Sequence, residues 1–547
     1  MEPSKERVFV RKASGLVRQV STFDAFILNI STMTFFWAAT YYGWAQQLAP
    51  GSNVIWGLLM GSVLVAFNAV TVGLFANIYP RTGGDYVYNS RVLTPLIGFT
   101  INFAIWLWDV YWTGLSAYWT CIFGLSALFG NLGATMPSVA LTNIGTALFS
   151  PPLSVIASGI IIAVVSVFAL LSTKSFFRAM AVTFVVGIIG IIVMIVIMLP
   201  YGQSTFITAF NNYMLQYAPS TPNYYNYVIQ TARSSGWNYP APDSNLFSYA
   251  NWIGMVATVP VVGFGVWSCY LGGEIKGAQR VKTHILSMLG SQIAMTIGMI
   301  VIGLLAFRAF GYEFLGASEF LSLNNPSQLA IPVAPTTQFF AMLLNRNPAI
   351  GFIIGLGITL LTAGYVFSAV IMSGRVLLAW SVDRVVPSAF SKVSEKHKSP
   401  YVAVLFTWIG ATIFMILQAY VPQYFGSFGY AMAFLYGGTL TWTVVALSAI
   451  LVPYLKKTKE QFNSSPVAKI RIAGIPVIVI TGIISLFWMG FVSLSMGTVP
   501  SFGVNIPSHI AGIISLIGGA AVYLISRQYH KSKGTPIDLA FKEIPPE

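Results

Sequence analysis

The sequence predicts an all-α polytopic membrane protein of twelve transmembrane helices: two oppositely inserted halves of five, then two further helices. Three observations carry that expectation. The 547 residues are 56% apolar and only 8% charged, against about 25% charged in ordinary soluble domains. Mean hydropathy is +0.74, and many apolar runs approach the ~20 residues that a helix needs to cross a bilayer. Lysine and arginine fall almost wholly on one set of alternate loops.

In chain order, a polar arm over residues 1–21 precedes five apolar segments at 22–48, 55–79, 95–128, 152–171 and 178–200, which form the first half. The connection over 201–249, rich in Tyr, Asn, Ser and Pro, is too polar to span and is expected to pack over one mouth of the protein as an extracellular loop. Five more segments, 250–273, 285–310, 347–380, 401–421 and 427–453, form the second half over 250–455. The Tyr312–Thr337 connection resembles 201–249 in composition and leaves room for a short surface helix. Segments at 473–496 and 507–526 occupy residues 456–527, and a polar tail fills 528–547. The first apolar run is long, follows a polar arm and lacks a cleavage site, so no cleavable leader is expected.

Basic residues fix the orientation. The arm, five alternate loops with their flanking helix ends, and the tail carry 26 of the 29 lysines and arginines. The other side holds only Arg233, Arg308 and Arg346. The positive-inside rule therefore puts both termini in the cytoplasm of a multi-pass plasma-membrane protein. It also explains the net charge of +14 without nucleic acid as a partner; the partner implied is the lipid bilayer. Cys121 and Cys269 both lie in apolar segments, which excludes a disulfide framework and a cysteine metal site. The four histidines lack ligand spacing, so no metal is expected.

The stretch Ala257–Arg280 departs from a plain spanning helix. Pro260 removes a backbone donor, and Gly263 and Gly265 weaken helix, so the sixth segment reads either as two half-helices or as a proline-kinked helix. Irregular backbone at membrane depth survives only where protein buries it or where it lines a wet cavity, as in the midplane sites of secondary transporters. With an odd number of spans in each half, the counterpart of the sixth segment is the first. Its Phe23–Trp44 stretch holds the polar cluster Asn29, Ser31, Thr32 and Thr34.

The loop Tyr79-Pro80-Arg81-Thr82-Gly83-Gly84-Asp85-Tyr86-Val87-Tyr88, followed by Ser90-Arg91 and Pro95-Leu96-Ile97-Gly98-Phe99, resembles a signature of the amino acid–polyamine–organocation permease family. Gly263-Phe264 with Gly272-Gly273-Glu274-Ile275-Lys276 and Gln279-Arg280 is similar to that family's sixth helix and its exit. Ser373-Gly374-Arg375 with Trp380-Ser381-Val382-Asp383-Arg384-Val385-Val386-Pro387 is similar to its stretch after helix eight. The resemblance covers roughly 20–455.

The resemblance implies a five-plus-five inverted repeat of the leucine-transporter type, with substrate held between unwound middles of helices one and six. Carried onto this chain, that site comprises Ile30, Ser31, Thr32, Met33 and Thr34 with Gly263, Phe264, Gly265 and Trp267. Free amides at a half-helix N-terminus suit an amino acid's carboxylate, and free carbonyls at a C-terminus suit its ammonium. Two departures stand out. Ser31–Trp37 replaces a glycine-rich run in helix one, and Gly265 stands where relatives often carry a polar or acidic residue. In this structural class a cation commonly sits between the helix-one break and helix eight. Thr362 and Ser368 offer oxygens for a hard cation such as Na⁺, or serve as ordinary interhelical hydrogen-bonding groups. A lysine within helix five, which some relatives use in place of that cation, is absent here.

Asp109 lies about 14 residues, or roughly 21 Å, along the third helix from Pro95, near or past the middle of a hydrocarbon layer about 30 Å thick. No Lys or Arg lies at comparable depth. Asp109 therefore either faces the cavity to meet a substrate ammonium or a coupling proton, or is a protonated structural carboxyl bonded to a neighbouring helix. Asp24 reads as a capping acid or as an inner-gate partner for a basic residue such as Arg18. Glu274, with Lys276, reads as a surface or gate ion pair. Phe264 and Trp267 are expected to cover the ligand, with Tyr111 and Trp112 as further aromatics.

These residues point to a secondary active transporter for amino acids working by alternating access and coupled to H⁺ or Na⁺, with no other cofactor. The alternative within the same fold is transport of an organic cation or polyamine, with Asp109 as counter-charge. No nucleophile–base constellation supports an enzyme, no charge ring or carbonyl filter supports a channel, and no Walker-type loop supports an ATP-driven pump.

Overall fold

The computed structural model describes residues 15–542 except 137, 239, 535 and 536. Residues 1–14 of the N-terminal arm and 543–547 of the tail lie outside the described residues.

Helices dominate from the first segment on, and the first segment is broken. It comprises α1 (Thr22–Met33) and α2 (Trp37–Leu48). After α3 (Val54–Ile78), the short α4 (Asp85–Val92) carries the loop motif. Next comes α5 (Pro95–Trp119), which runs through a π-turn at Thr120–Leu125 into α6 (Ser126–Thr135). Thr94 caps α5 and Pro95 takes its first position, where the missing N–H costs nothing. A surface helix α7 (Val139–Ala147) leads to α8 (Leu153–Leu171) and α9 (Thr173–Met198). Ser172 caps α9, so the helix starts at Thr173 rather than 178 and takes in Lys174 and Arg178.

The 201–249 connection folds into α10 (Gln203–Met214) and α11 (Tyr224–Ser234). The sixth segment contains α12 (Tyr249–Val256) and a single turn, α13 (Val259–Val262). Then follow α14 (Val281–Phe310), α15 (Tyr312–Asn324), α16 (Thr337–Leu344) and α17 (Pro348–Val382). The helix expected on the surface after Tyr312 is instead buried from Phe314 to Glu319. Aromatic contacts explain this: Tyr225 of α11 stacks on Phe314 at 4.5 Å, and Phe206 of α10 meets the same ring edge-on at 5.5 Å.

The chain closes with α18 (Tyr401–Tyr420), α19 (Pro422–Tyr430), a π-helical stretch at Ala431–Thr439, α20 (Leu440–Leu451), α21 (Lys456–Ser464), α22 (Val477–Thr498) and α23 (Ile506–Ser532). Ahead of α22, strands Arg471–Ile472 and Ile475–Pro476 pair around Ala473 and Gly474, both at positive φ. That two-residue turn is why the eleventh segment starts at Val477 and not at 473.

The protein is an all-α polytopic membrane protein. Among the described residues nine helices are long and apolar enough to cross a bilayer. The apolar segments 22–48, 250–273 and 427–453 are each assembled from shorter pieces. Burial sorts the long helices. The apolar window of α17 is 72% buried, whereas those of α9, α18 and α23 are 28% buried. So α17 lies in the middle of the bundle, and the latter three turn Val, Ile and Leu outward, as a lipid-facing surface requires.

Candidate functional site

The break in the first segment turns on one threonine. Thr34 holds φ +46°, rare for a residue that is not glycine. Its amide still closes a bond to Ile30 O at 2.9 Å. Its hydroxyl donates to Leu361 O of α17 at 3.0 Å and accepts from Phe36 N–H at 3.2 Å. A side chain that bridges a neighbouring helix and its own freed backbone can hold such a turn without glycine. The last-turn carbonyls of α1, including those of Ser31 to Met33, have no partner in the normal helical pattern. The Thr32 hydroxyl returns to Leu28 O, and Ser31 lies against Gly364 of α17.

The sixth segment is interrupted at the same level. Winding ends at Val262, residues Gly263 to Val266 are non-helical, and a 3₁₀ turn at Trp267–Tyr270 follows. The two interruptions touch. A Cβ on Gly265 would meet Met33 Sδ and Cε at 2.9 Å, so the Met33 side chain packs directly on the Gly265 backbone. Asn29 ties them further. Its carboxamide donates to Ser268 Oγ (3.0 Å) and Ser287 O (2.9 Å) and accepts from Ser268 N–H (2.8 Å). Asn29 stands in the polar cluster that marks the first segment, but no role could be given to it before Ser268 was seen opposite.

Asp109 is buried in this seam, turned toward protein rather than lipid. One carboxyl oxygen accepts the Ser373 hydroxyl of α17, and the Trp267 indole faces the carboxyl without closing a hydrogen bond to it. This is the interhelical hydrogen bond of the structural alternative. It leaves Oδ1 without a partner among the described residues. Phe264, Trp267 and Trp108 close the same region, with centroids 5.0 Å apart for Trp108–Phe264 and 5.7 Å for Trp108–Trp267. Ile30, Met33, Phe264 and Trp267 thus give the seam apolar walls around a few polar atoms.

On α17, Thr362 and Ser368 donate to their own helix, at Ile358 O and Tyr365 O. Among the α17 residues that meet the first segment are Leu361, at Thr34, and Gly364, at Ser31. Ser368 follows Gly364 by four residues and shares that face, while Thr362 is rotated about 100° from Leu361.

The three sequence motifs converge at the end of the bundle that carries the basic loops. Gly83 N–H donates to Tyr270 O, and a Cβ on Gly84 would strike the Tyr270 ring and Cys269 Sγ at 2.7–2.9 Å. Gly98 admits α4 in the same way, since its Cβ would meet Ser90 N at 2.4 Å. Asp85 accepts from Tyr270 OH (2.6 Å) and Asn102 (2.8 Å), and Asn102 accepts from the Trp380 indole (2.7 Å). Burial pushes the Asp85 carboxyl up to about 7 against the pull of those hydrogen bonds.

Two buried ion pairs complete this network. Arg91 binds Asp383 at 2.7 Å, and Arg375 binds Glu274 through Nε (2.7 Å) and Nη2 (2.9 Å). Glu274 is therefore not part of a surface pair with Lys276. It is 1% exposed, because the chain leaving the sixth segment folds under α17. Asp24 forms a reciprocal capping box with Ser21, its Oδ2 accepting from the Ser21 N–H, rather than an ion pair with Arg18. Next to it, Val20 pairs through its backbone with Glu274 O and Lys276 N–H.

A family profile described as "Amino acid permease" matches residues 20–519. The chain is also 24% identical over 538 residues to the branched-chain amino acid permease BcaP of Bacillus subtilis (strain 168), covering 94% of this chain and 95% of that one. A polytopic helical membrane protein with two broken segments in contact at its centre is thus matched over nearly its whole length. The chain belongs to the amino acid permease family, whose members transport amino acids across membranes.

Proposed function

We propose that the chain is a secondary active transporter that carries a neutral amino acid with an apolar side chain across the plasma membrane by alternating access. The observation that carries this reading is the contact between the two helix breaks, Met33 against Gly265 and Asn29 against Ser268. Substrate binds there, its side chain among Ile30, Met33, Phe264 and Trp267, and its charged ends on the freed backbone of Ser31–Thr34 and Gly263–Gly265. Asp109 answers the ammonium or carries a coupling proton. Ser368 with α1 carbonyls supplies the oxygen set for Na⁺ if that is the coupling ion, and Thr362 stands one position off that face.

Nine regular spans and three interrupted segments support a twelve-span reading. The breaks open residues 22–200 and 250–455, which supports a five-plus-five inverted repeat, with helices eleven and twelve over 456–527. The charge bias supports cytoplasmic termini and an extracellular 201–249 connection. Asp24 and Glu274 belong to the closure on the cytoplasmic side. The organic-cation or polyamine alternative is not favoured, since both the family description and the relative's name specify amino acids.

Labelled leucine uptake into proteoliposomes tests the reading, with competition by acidic, basic and neutral amino acids and by polyamines, under Na⁺ and pH gradients applied separately. Competition is expected from branched neutral amino acids alone. Asp109→Asn is expected to lower uptake at least tenfold and to flatten its pH dependence. Uptake and pH profile unchanged in that variant would remove Asp109 from the mechanism, and failure of every α-amino acid to compete would remove the substrate class.

A further inference from the structure

At the end of the bundle opposite the buried ion pairs lies a cavity of about 180 Å³ that begins at Phe36, beside the helix-one break, and reaches Leu323 and Gln418. Its walls are largely indole. Trp37 stacks on Trp44 with centroids 5.1 Å apart, and Trp112 meets Trp119 edge-on at 5.2 Å. One carboxyl lines it, that of Glu319 on α15, and this residue is only 9% exposed. Gly43 brings α15 there: a Cβ on it would lie 2.6 Å from Glu319 Cβ, so glycine lets α2 and α15 close on one another.

No cation answers this acid among the described residues. Arg233 of α11 pairs with Glu313 on the outer side of α15, and Arg308 of α14 is held by the carbonyls of Met198 and Leu199. On α2, Tyr41 and Tyr42 turn away to Thr258 and Met299. Tyr111, across the cavity, bonds Gln418. A buried carboxylate without a counter-charge is costly, and aromatic faces around an acid are the surroundings that stabilise an organic cation.

We propose that this cavity is a binding site for a small organic ammonium ion, with Glu319 as counter-charge and Trp37, Trp44 and Trp112 as the faces it lies against. Neither Lys nor Arg lines the cavity, so nothing in it answers a carboxylate. The site takes the ammonium end of its ligand and leaves any carboxylate in solvent. Its volume lies below the ~300 Å³ at which pockets for drug-sized ligands begin, which limits the body to a few carbons. Burial alone pushes the empty Glu319 carboxyl up to about 8, so binding a cation expels a proton and strengthens as pH rises. The ammonium has two possible sources, the amino acid approaching the seam or a free amine. The site goes beyond the transport reading and is measured without transport.

The test is equilibrium binding of labelled isoamylamine, which is leucine without its carboxylate, to the full chain in nanodiscs. Saturable binding is expected at pH 9, at least tenfold weaker at pH 6, and at least tenfold weaker at pH 9 in Glu319→Gln. Leu323→Arg, at an exposed position of the cavity mouth, supplies a fixed cation and is expected to abolish binding without touching the core. Isovalerate should not compete. Competition by leucine assigns the ammonium to the substrate, and competition by amines alone assigns it to a free amine. No saturable binding to the parent protein, or parent affinity retained in both variants, overturns the proposal.

Discussion

The two ends of the bundle are closed by different chemistry. At the basic end, loop motifs interlock through Gly83, Gly84 and Gly98, and two buried ion pairs, Arg91 with Asp383 and Arg375 with Glu274, lie beside Asp85, whose carboxyl is held by the neutral donors Tyr270 and Asn102. At the other end, indoles line a cavity and the one buried acid, Glu319, has no counter-charge among the described residues. Opening the first end means separating or hydrating two desolvated pairs, whereas the cavity at the second reaches Phe36, beside the helix-one break. The difference teaches that buried ion pairs lie on one side of the helix breaks and an aromatic cavity on the other. On the alternating-access mechanism proposed above, that asymmetry fits a state open toward the aromatic side.

The largest expected effect tests whether the matched charges do the sealing. Glu274→Gln strands the Arg375 guanidinium in the interior and should destabilise the protein by about 3–5 kcal/mol. Pairing Glu274→Leu with Arg375→Met should recover most of that loss. Glu319→Gln strands nothing and should not lower the melting temperature. Thermal unfolding of these variants in nanodiscs decides it, and equal destabilisation by Glu274→Gln and Glu319→Gln would erase the contrast between the ends.

Next comes pH. Folded Asp85, near 7, holds a proton that an unfolded aspartate releases near 3.8. The native state binds the extra proton across that window, so stability falls as pH rises from about 4 to 7, by on the order of 4 kcal/mol, and then levels for this residue. Asp85→Asn should flatten the melting profile below pH 7. Glu319, raised to about 8 by burial, should keep a slope that runs further, and Glu319→Gln should remove that part. A slope between pH 7 and 8 that Glu319→Gln leaves in place, or that Asp85→Asn removes, would break the assignment of one acid to each end.

The smallest effect is at the junction. Thr34→Val removes the hydroxyl that joins Leu361 O and Phe36 N–H, and an unsatisfied buried group costs about 1–3 kcal/mol. Stability should fall by that amount, with uptake impaired more than the melting temperature alone explains. Intact uptake would mean the break is held by something other than this bridge.

Much of this was legible in the residue string. Low charge, apolar runs and the one-sided basic loops dictate a polytopic helical membrane protein because a bilayer admits few alternatives. Pro260, Gly263 and Gly265 mark the sixth segment as irregular because proline and glycine disrupt winding wherever they sit. The motifs identify the family through loop residues that serve close packing, now visible at Gly84 and Gly98. Only the tertiary structure decided who faces whom. Thr34 adopts a glycine-like φ because Leu361 receives its hydroxyl, and Glu274 is matched because Arg375 comes from 101 positions away. Glu319 becomes a buried acid among tryptophans because Gly43 lets α15 settle on α2. Local propensity and hydropathy depend on the residue and its near neighbours, so sequence determines them. Charge pairing, cavity lining and backbone bridges depend on distances between remote segments, which the fold alone sets.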